Sequence, residues 1–155
     1  MREITEVAKI TIYTYSQLSE EDKKLIELSI EAEQGAYAPY SNFRVGSAVL
    51  LSNGNIVIGN NQENEAFPSG MCAERVALYS ASAQNPNERI CSIAIVAYDK
   101  NRDKVALSFP CGACRQVMME YEKRQNSPIR VLISAGEDVY VAESAKTFMP
   151  FSFSM

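Results

Sequence analysis

Apolar and polar positions follow different periods in successive segments of the chain. Segment 10–15 is β-branched and aromatic, which is typical of a short strand. Apolar residues then recur at helical spacing from Leu25 to Ile30. Ser19, followed by three acidic residues, is a typical helix start. The pattern predicts a strand and then a helix that runs to about Gly35.

A hairpin is predicted in the next part of the chain. Segments 45–51 and 55–59 read as strands, and they flank the pair Asn53-Gly54. That pair suits a tight type I′ turn, in which both central residues have positive φ. Segment 36–42, which contains a proline, is predicted to be a loop.

Helices and strands alternate in the rest of the chain. Pro110 is predicted to lie in the first turn of a helix, because its fixed φ suits that position. The run 90–98 is almost wholly apolar, which is typical of a strand covered on both faces. The predicted elements are helices 72–83 and 111–123 and strands 90–98, 129–134 and 139–142. This alternation predicts an α/β fold with a central sheet and helices on its faces.

Length and charge exclude several classes of protein. The chain has 155 residues, which favours one domain over residues 1–155. Its 15 basic and 19 acidic side chains give a net charge of −4, whereas nucleic-acid-binding proteins normally carry a basic surplus. No apolar run approaches the ~20 residues of a membrane helix. The first residues lack an apolar secretion core, so we expect a cytoplasmic protein with no nucleic-acid or membrane partner.

The absence of histidine limits the chemistry further. Without histidine the chain cannot build a Ser-His-Asp triad, a Cys-His pair or a histidine-ligated metal site. A transition-metal site must therefore use thiolates and carboxylates. The chain has four cysteines, which are Cys72, Cys91, Cys111 and Cys114. In a reducing compartment, clustered cysteines indicate metal or redox chemistry more often than disulfides.

Three of the cysteines have the spacing of a catalytic zinc site. Cys111 and Cys114 are three residues apart at a predicted helix start, so both sulfurs can face one ion. Cys72 begins the other predicted helix. Two converging helix starts would offer three thiolates to one tetrahedral zinc ion and leave its fourth position open for water.

Two side chains beside Cys72 and one beside Cys114 complete the candidate site. Glu74 follows Cys72 by two residues, so it points away from a ligand position and is a candidate general acid/base. Three thiolates give a zinc site a net negative charge, which calls for nearby cations. Arg75 and Arg115 are the candidates for this compensation.

Other interpretations of the cysteines remain open from spacing alone. Cys91 could be the fourth ligand of a closed, structural zinc site in a non-catalytic module, although it lies in an apolar strand where cysteine behaves as a small hydrophobe. Cys111 and Cys114 could also form a thioredoxin-like redox pair, which would leave Cys72 without a role.

Several motifs resemble those of the zinc-dependent cytidine deaminases. Cys72-Ala73-Glu74-Arg75 and the segment 110–116, Pro-Cys-Gly-Ala-Cys-Arg-Gln, resemble the paired signatures of that class. Segments 36–46, 61–64 and 148–153 resemble its opening loop and first strand, its nucleoside-binding stretch and its C-terminal motif. The resemblance spans residues 18–153 and leaves residues 1–17 as an N-terminal extension.

The resemblance implies a fold and an activity. The fold would be a three-layer α/β/α sandwich with a mixed central sheet and helices on both faces. The reaction would be hydrolytic deamination of cytidine and 2′-deoxycytidine to uridine and 2′-deoxyuridine with release of ammonia, a step of pyrimidine salvage. Small members of the family are homotetramers with one Zn²⁺ per subunit.

The resemblance also implies roles for individual residues. Zinc would be held by Cys72, Cys111 and Cys114, and Glu74 would shuttle protons. Substrate would be bound by Asn61 and Glu63 at the ribose hydroxyls, Phe43 at the base, backbone around Ala73 at the pyrimidine ring, and Phe153 from a neighbouring subunit.

Two positions depart from the family pattern. Glu65 and Phe67 stand where the family usually has an alanine and a tyrosine. Phe67 lacks the hydroxyl, and Glu65 adds a carboxylate close to the expected sugar site. These departures keep open an alternative substrate, a modified cytosine nucleoside or a nucleoside antibiotic.

Overall fold

The helices and strands follow the order that the sequence pattern predicts, with every boundary within two residues of the predicted one. The computed structural model describes residues 1–99 and 105–153. The strands are β1 (Thr11–Thr14), β2 (Arg44–Leu51), β3 (Ile56–Asn60), β4 (Ile90–Tyr98), β5 (Arg130–Ala135) and β6 (Asp138–Ala142). The helices are α1 (Glu20–Glu33), α2 (Ala73–Gln84) and α3 (Gly112–Gln125), with short 3₁₀ helices at Tyr15–Gln17, Phe67–Ser69 and Ala145–Phe148.

The six strands form one mixed sheet in the order β1-β6-β5-β4-β2-β3. Strands β4 and β5 are parallel, and the other neighbouring pairs are antiparallel. The parallel pair requires a crossover, which α3 occupies, whereas the antiparallel pairs β2–β3 and β5–β6 are joined by short turns. The expected mixed α/β sheet is therefore confirmed.

Helices cover both faces of this sheet. On one face, Leu25 and Ile26 of α1 pack with Ala48, Ala94 and Leu132. These sheet residues alternate along their strands with residues that face the other side, because successive strand side chains point to opposite faces.

The second face carries the other two helices. Leu78 of α2 and Met118 of α3 pack there with Ile93, Ile95 and Ile133, and all five side chains are almost fully buried. The expected three-layer α/β/α sandwich is therefore confirmed. None of the helices in residues 1–99 and 105–153 is long and apolar enough to cross a lipid bilayer.

The hairpin turn differs from the predicted one. Gly54 has a φ of 83°, but Asn53 is not in the left-handed region, so the type I′ prediction is wrong. The Gly54 N–H donates to the Leu51 carbonyl, and the Leu51 N–H donates to the Asn55 carbonyl, both at 2.9 Å. This is a three-residue loop with glycine at the left-handed position, a common alternative to the two-residue turn.

The start of α3 also differs. Cys111 is the N-cap and Gly112 the first helical residue, so Pro110 precedes the helix and the prediction that it lies in the first turn is wrong. The Cys111 carbonyl accepts the first helical hydrogen bond, from the Arg115 N–H at 3.0 Å. The shift places a cysteine, rather than the proline, at the helix boundary.

Part of the N-terminal extension belongs to the sheet. Strand β1 pairs antiparallel with β6, from Thr11 opposite Val141 to Thr14 opposite Asp138. Tyr13 packs against the cluster on the α1 side. That residues 1–155 form a single domain stays a prediction, since residues 100–104 and 154–155 lie outside the described part.

Helix α1 lies unusually close to strand β2 at Gly46. A Cβ atom on Gly46 would lie 1.9 Å from the Ser29 carbonyl oxygen and 2.5 Å from the Glu33 backbone nitrogen. Both are backbone atoms, so they cannot move aside as a flexible side chain could. Next to this contact, the fully buried Glu33 carboxylate pairs with Arg44 at 2.9 Å.

We expect Gly46→Ala to destabilise the protein by about 3 kcal/mol, because the methyl group forces α1 away from the sheet. The measurement is the free energy of unfolding from urea titration. Gly112→Ala is the matched control, since a Cβ there would have no atom within 4 Å. Equal stability of the two variants would contradict the close approach.

Candidate metal centre and substrate cavity

Two helix N-termini meet at the candidate metal centre. Cys72 is the N-cap of α2, Cys111 is the N-cap of α3, and Cys114 lies in the first turn of α3. Neither N-cap sulfur makes a capping hydrogen bond to its own helix. The sulfurs face each other instead, with Sγ–Sγ distances of 3.7 Å between Cys72 and Cys111 and 3.5 Å between Cys111 and Cys114.

These sulfurs fit one tetrahedral zinc ion. A zinc–sulfur bond of about 2.3 Å in tetrahedral geometry requires sulfurs about 3.8 Å apart. The three Sγ atoms lie within 4.8 Å of one another and form the only such group of potential metal ligands in residues 1–99 and 105–153. The donor set is the one that the sequence predicts.

Arg75 supplies positive charge to the sulfurs. Its Nη2 donates a hydrogen bond to Cys72 Sγ at 3.5 Å. Hydrogen bonds from Cys114 and Arg75 lower the pKa of the Cys72 thiol to about 5, against the opposing effect of burial. The hydrogen bond between Cys114 and Cys72, together with burial, raises the pKa of the Cys114 thiol. The Cys72 contact in turn raises the pKa of Arg75, which keeps it cationic.

Glu74 lies beside the cysteines without joining them as a ligand. Its side chain is buried, with 5% of its surface exposed. Burial raises the pKa of its carboxyl group, and the negative charge of Cys72 raises it further. A carboxyl group whose pKa is raised from its ordinary value holds a proton more readily than an exposed one, which suits a general acid/base.

Arg115 does not take the charge-compensating position that the sequence suggested. Its Nε donates to the Pro110 carbonyl at 2.6 Å, and its Nη1 donates to the Phe148 carbonyl at 3.2 Å. The guanidinium also lies 6.0 Å from the centre of the Phe148 ring. Arg115 therefore holds the backbone just before Cys111, whereas Arg75 contacts the sulfur.

Cys91 does not join the other cysteines. It lies on β4 and packs against the cluster on the α1 side of the sheet. Helices α2 and α3 pack on the opposite side. The structure therefore gives no support to a closed four-sulfur site in which Cys91 is the fourth ligand.

A cavity of about 550 Å³ opens beside Cys72. Its wall includes two of the predicted substrate-binding residues, Asn61 and Glu63. The described residues that line it are Tyr40, Ser41, Asn61, Gln62, Glu63, Asn64, Phe67, Gly70, Met71, Cys72 and Arg75. The candidate metal centre and the candidate sugar-binding residues therefore share one cavity.

Asn61 and Glu63 contact the loop that precedes β2. Asn61 Oδ1 accepts from the Val45 N–H at 2.8 Å, and Asn61 Nδ2 donates to the Phe43 carbonyl at 2.9 Å. Glu63 accepts from the backbone N–H groups of Tyr40 and Ser41 at 2.8 and 3.2 Å, and from the Ser41 hydroxyl. Partial burial acts to raise the pKa of Glu63, but these hydrogen bonds outweigh it and lower the pKa.

The sequence of this chain matches a known protein family. Residues 19–127 match the model of the cytidine and deoxycytidylate deaminase zinc-binding region. This match covers more than half of the chain and includes all three clustered cysteines. The chain belongs to this deaminase family.

Individual relatives agree with the family model. A cytidine deaminase of Halalkalibacterium halodurans is 44% identical over 96 residues, which are 62% of this chain and 68% of that protein. The crystal structure of a cytidine deaminase from Burkholderia pseudomallei aligns with a TM-score of 0.71 and 37% identity, covering 88% of this chain and all of that one. The crystal structure of the Mycobacterium tuberculosis cytidine deaminase aligns with a TM-score of 0.65 and 28% identity, over 88% and 100% of the two chains.

The other predicted site residues of this deaminase occupy varied positions. Ala73 is fully buried at the first position of α2. Phe43 is held through its carbonyl by Asn61, but it is not among the residues that line the cavity. Phe153 is 74% exposed, and its role in a neighbouring subunit stays a prediction.

The two departures from the family pattern lie near the cavity mouth. Phe67 is 76% exposed, lines the cavity and meets the Tyr40 ring edge to face, with 6.0 Å between ring centres. Glu65, two residues earlier in the chain, is also exposed. In this deaminase the cavity wall therefore has, at Phe67, an aromatic ring without the hydroxyl of the family pattern.

Sequence reasoning missed Tyr40 and Ser41. Both line the cavity and both donate hydrogen bonds to Glu63. The available signal was their place in the segment that resembles the family's opening loop. Composition alone could not distinguish them from ordinary loop residues.

We expect Arg75→Ala to weaken zinc retention about tenfold, because loss of a group that contacts a metal ligand typically costs 10- to 100-fold in affinity. The measurement is zinc content after competition with a chelator. Cys91→Ala is the matched control and should retain zinc as the unmodified protein does. Unchanged zinc retention in Arg75→Ala would contradict the compensating role, and zinc loss in Cys91→Ala would restore the four-sulfur interpretation.

Proposed function

We propose that this deaminase hydrolyses cytidine and 2′-deoxycytidine to uridine and 2′-deoxyuridine and releases ammonia. The observation that carries the proposal is the buried Glu74 carboxyl beside three clustered cysteine sulfurs, next to a cavity lined by Asn61 and Glu63. Relatives that are named cytidine deaminases support the same substrate class.

The metal would be held by Cys72, Cys111 and Cys114. A zinc ion bound there supplies the Lewis acidity that makes water nucleophilic near neutral pH. Arg75 and the N-termini of α2 and α3 offset the negative charge of the three sulfurs. A less negative site favours the loss of a proton from water.

Glu74 carries the protons of the reaction. Its carboxylate accepts a proton from the attacking water and delivers it to N3 of the cytosine ring while the water oxygen bonds to C4. Glu74 then transfers the remaining proton of the hydroxyl on C4 to the amino group, so the C4–N bond breaks, ammonia leaves and the oxygen becomes the carbonyl of uridine. Burial suits Glu74 to this task because it raises the pKa of the carboxyl group, so that the group holds a proton more readily.

The other site residues would bind and orient the nucleoside. Asn61 and Glu63 would hold the ribose hydroxyls, Phe43 would pack on the base, and the backbone around Ala73 would contact the pyrimidine ring. Both hydrogen-bonding side chains are already fixed by the protein, so little ordering is needed when substrate binds.

The charges of the cavity favour a nucleoside over a nucleotide. Among the described lining residues the only cation is Arg75, and it is bound to Cys72. Glu63 on the cavity wall and Glu65 near its mouth are acidic. A 5′-phosphate would meet negative charge without an unengaged arginine or lysine to bind it.

The biological setting follows from the substrate class. The enzyme would serve pyrimidine salvage in the cytoplasm as a homotetramer, with Phe153 of each subunit reaching a neighbour's site. Phe153 is exposed and thus available for such a contact.

We expect cytidine to lose its ultraviolet absorbance in the presence of the zinc-loaded protein and to keep it after chelation. Glu74→Gln should retain zinc and lose at least 10²- to 10⁴-fold in kcat, because it removes the proton carrier and keeps the side-chain shape. Normal kcat in Glu74→Gln would remove this residue from the mechanism. A higher kcat/KM on a modified cytosine nucleoside than on cytidine would favour the alternative substrate.

We expect Phe153→Ala to raise KM for cytidine about three- to tenfold, as loss of one aromatic contact typically does. Phe151→Ala, at another exposed aromatic residue, is the control. Mixing Phe153→Ala with Glu74→Gln subunits should restore the low KM, because each hybrid site can receive Phe153 from its neighbour. A monomer in sedimentation analysis, or no recovery in the mixture, would contradict the shared site.

A further inference from the structure

We propose that Ser41 is a positioning residue of the sugar subsite, whose hydroxyl holds the Glu63 carboxylate in the orientation that receives the sugar. The inference rests on the proposed function, because it concerns how Glu63 receives the sugar. It assigns to Ser41 a role that neither the cysteine motifs nor the acid/base chemistry requires.

The Ser41 hydroxyl lies between Glu63 on the cavity wall and the backbone of Phe43. It donates a hydrogen bond to Glu63 Oε1 and accepts one from the Phe43 N–H at 3.0 Å. The Ser41 and Tyr40 N–H groups both donate to the other carboxylate oxygen, Oε2. The Phe43 N–H therefore fixes the Ser41 hydroxyl, and the hydroxyl orients the Glu63 carboxylate.

The segment that carries Glu63 is itself fixed. The Glu63 N–H donates to the Tyr37 carbonyl at 2.8 Å, and the Tyr37 N–H donates to the Asn61 carbonyl at 3.0 Å. On its other side, Gln62 and Met71 exchange two backbone hydrogen bonds, each 2.8 Å long. With the backbone held on both sides, the remaining freedom of Glu63 is the torsion of its side chain, which Ser41 restricts.

The hydrogen bonds leave limited capacity for a ligand. A carboxylate offers about four acceptor positions. Ser41 and Tyr40 use three of those on Glu63, which leaves one to accept a hydrogen bond from a sugar hydroxyl. Asn61 keeps one N–H and one acceptor position after its contacts with Phe43 and Val45. Ser41 therefore determines which Glu63 position is open and where it points.

This role predicts an effect that depends on the sugar. Loss of the Ser41 hydroxyl should weaken binding of nucleosides with ribose hydroxyls and leave the chemical step intact. A nucleoside without those hydroxyls makes no hydrogen bond to Glu63, so it should not respond. A purely structural role for Ser41 would lower activity on both kinds of substrate equally.

The test compares Ser41→Ala with Ser41→Thr on cytidine and on 2′,3′-dideoxycytidine. We expect Ser41→Ala to raise KM for cytidine about tenfold, the usual scale for a hydrogen bond to a charged group, with kcat within about twofold. For 2′,3′-dideoxycytidine, KM should change by less than about twofold. Ser41→Thr keeps the hydroxyl and should restore most of the cytidine KM. Ser69→Ala, at an exposed serine outside the cavity lining, is the matched control.

Equilibrium binding separates this inference from the proposed function. Calorimetric titration with uridine and with 2′,3′-dideoxyuridine measures the same contact without turnover, and the expected loss is again confined to uridine. An enzyme that binds uridine through Ser41 but does not convert cytidine would overturn the proposed function alone. Equal losses on both nucleosides, a fall in kcat instead of a rise in KM, or no recovery in Ser41→Thr would overturn the role of Ser41, as would failure of the unmodified protein to bind uridine.

Discussion

The close approach of two helix N-termini is the constraint on which the site depends. Helices α2 and α3 both begin at a cysteine, and their unpaired N–H groups stabilise negative sulfur. Helix α2 can reach this position because Gly59 of β3 lies against it. A Cβ on Gly59 would lie 2.5 Å from the Ala77 nitrogen and 2.9 Å from the Ala73 carbonyl oxygen. The metal centre thus depends on a glycine in a strand as much as on its ligands.

One helix turn then carries both a candidate metal ligand and the candidate acid/base. Cys72, Glu74 and Arg75 are close in sequence, yet the Cys72 sulfur joins the cluster, Glu74 is buried, and Arg75 lines the cavity and donates to Cys72. This division follows from helical geometry, in which residues two apart face different directions and residues three apart share a face. Arg75 can therefore reach back to Cys72, and Glu74 cannot replace a sulfur.

The sequence was sufficient to predict the helices and strands, the cluster of three sulfurs and the place of Glu74 outside that cluster, because these depend on periodicity and on spacing at the helix starts. It was not sufficient where tertiary contacts decide. The pair Asn53-Gly54 does not decide the turn type, because the two-residue type I′ turn and the three-residue loop both accept Asn-Gly. Arg115 differs from Arg75 in its role only because the carbonyls of Pro110 and Phe148 lie within its reach. The contact between Ser41 and Glu63 could not be predicted, since 22 residues separate the two.

The N-terminal strand has a consequence for how copies of the molecule can meet. By pairing with β6, β1 covers the backbone N–H and carbonyl groups that β6 would otherwise present at the border of the sheet. The edge strand on this side is then β1, which is only four residues long and is followed directly by a 3₁₀ helix. Such a short edge strand offers few backbone groups with which a strand of another chain could pair, which disfavours edge-to-edge aggregation.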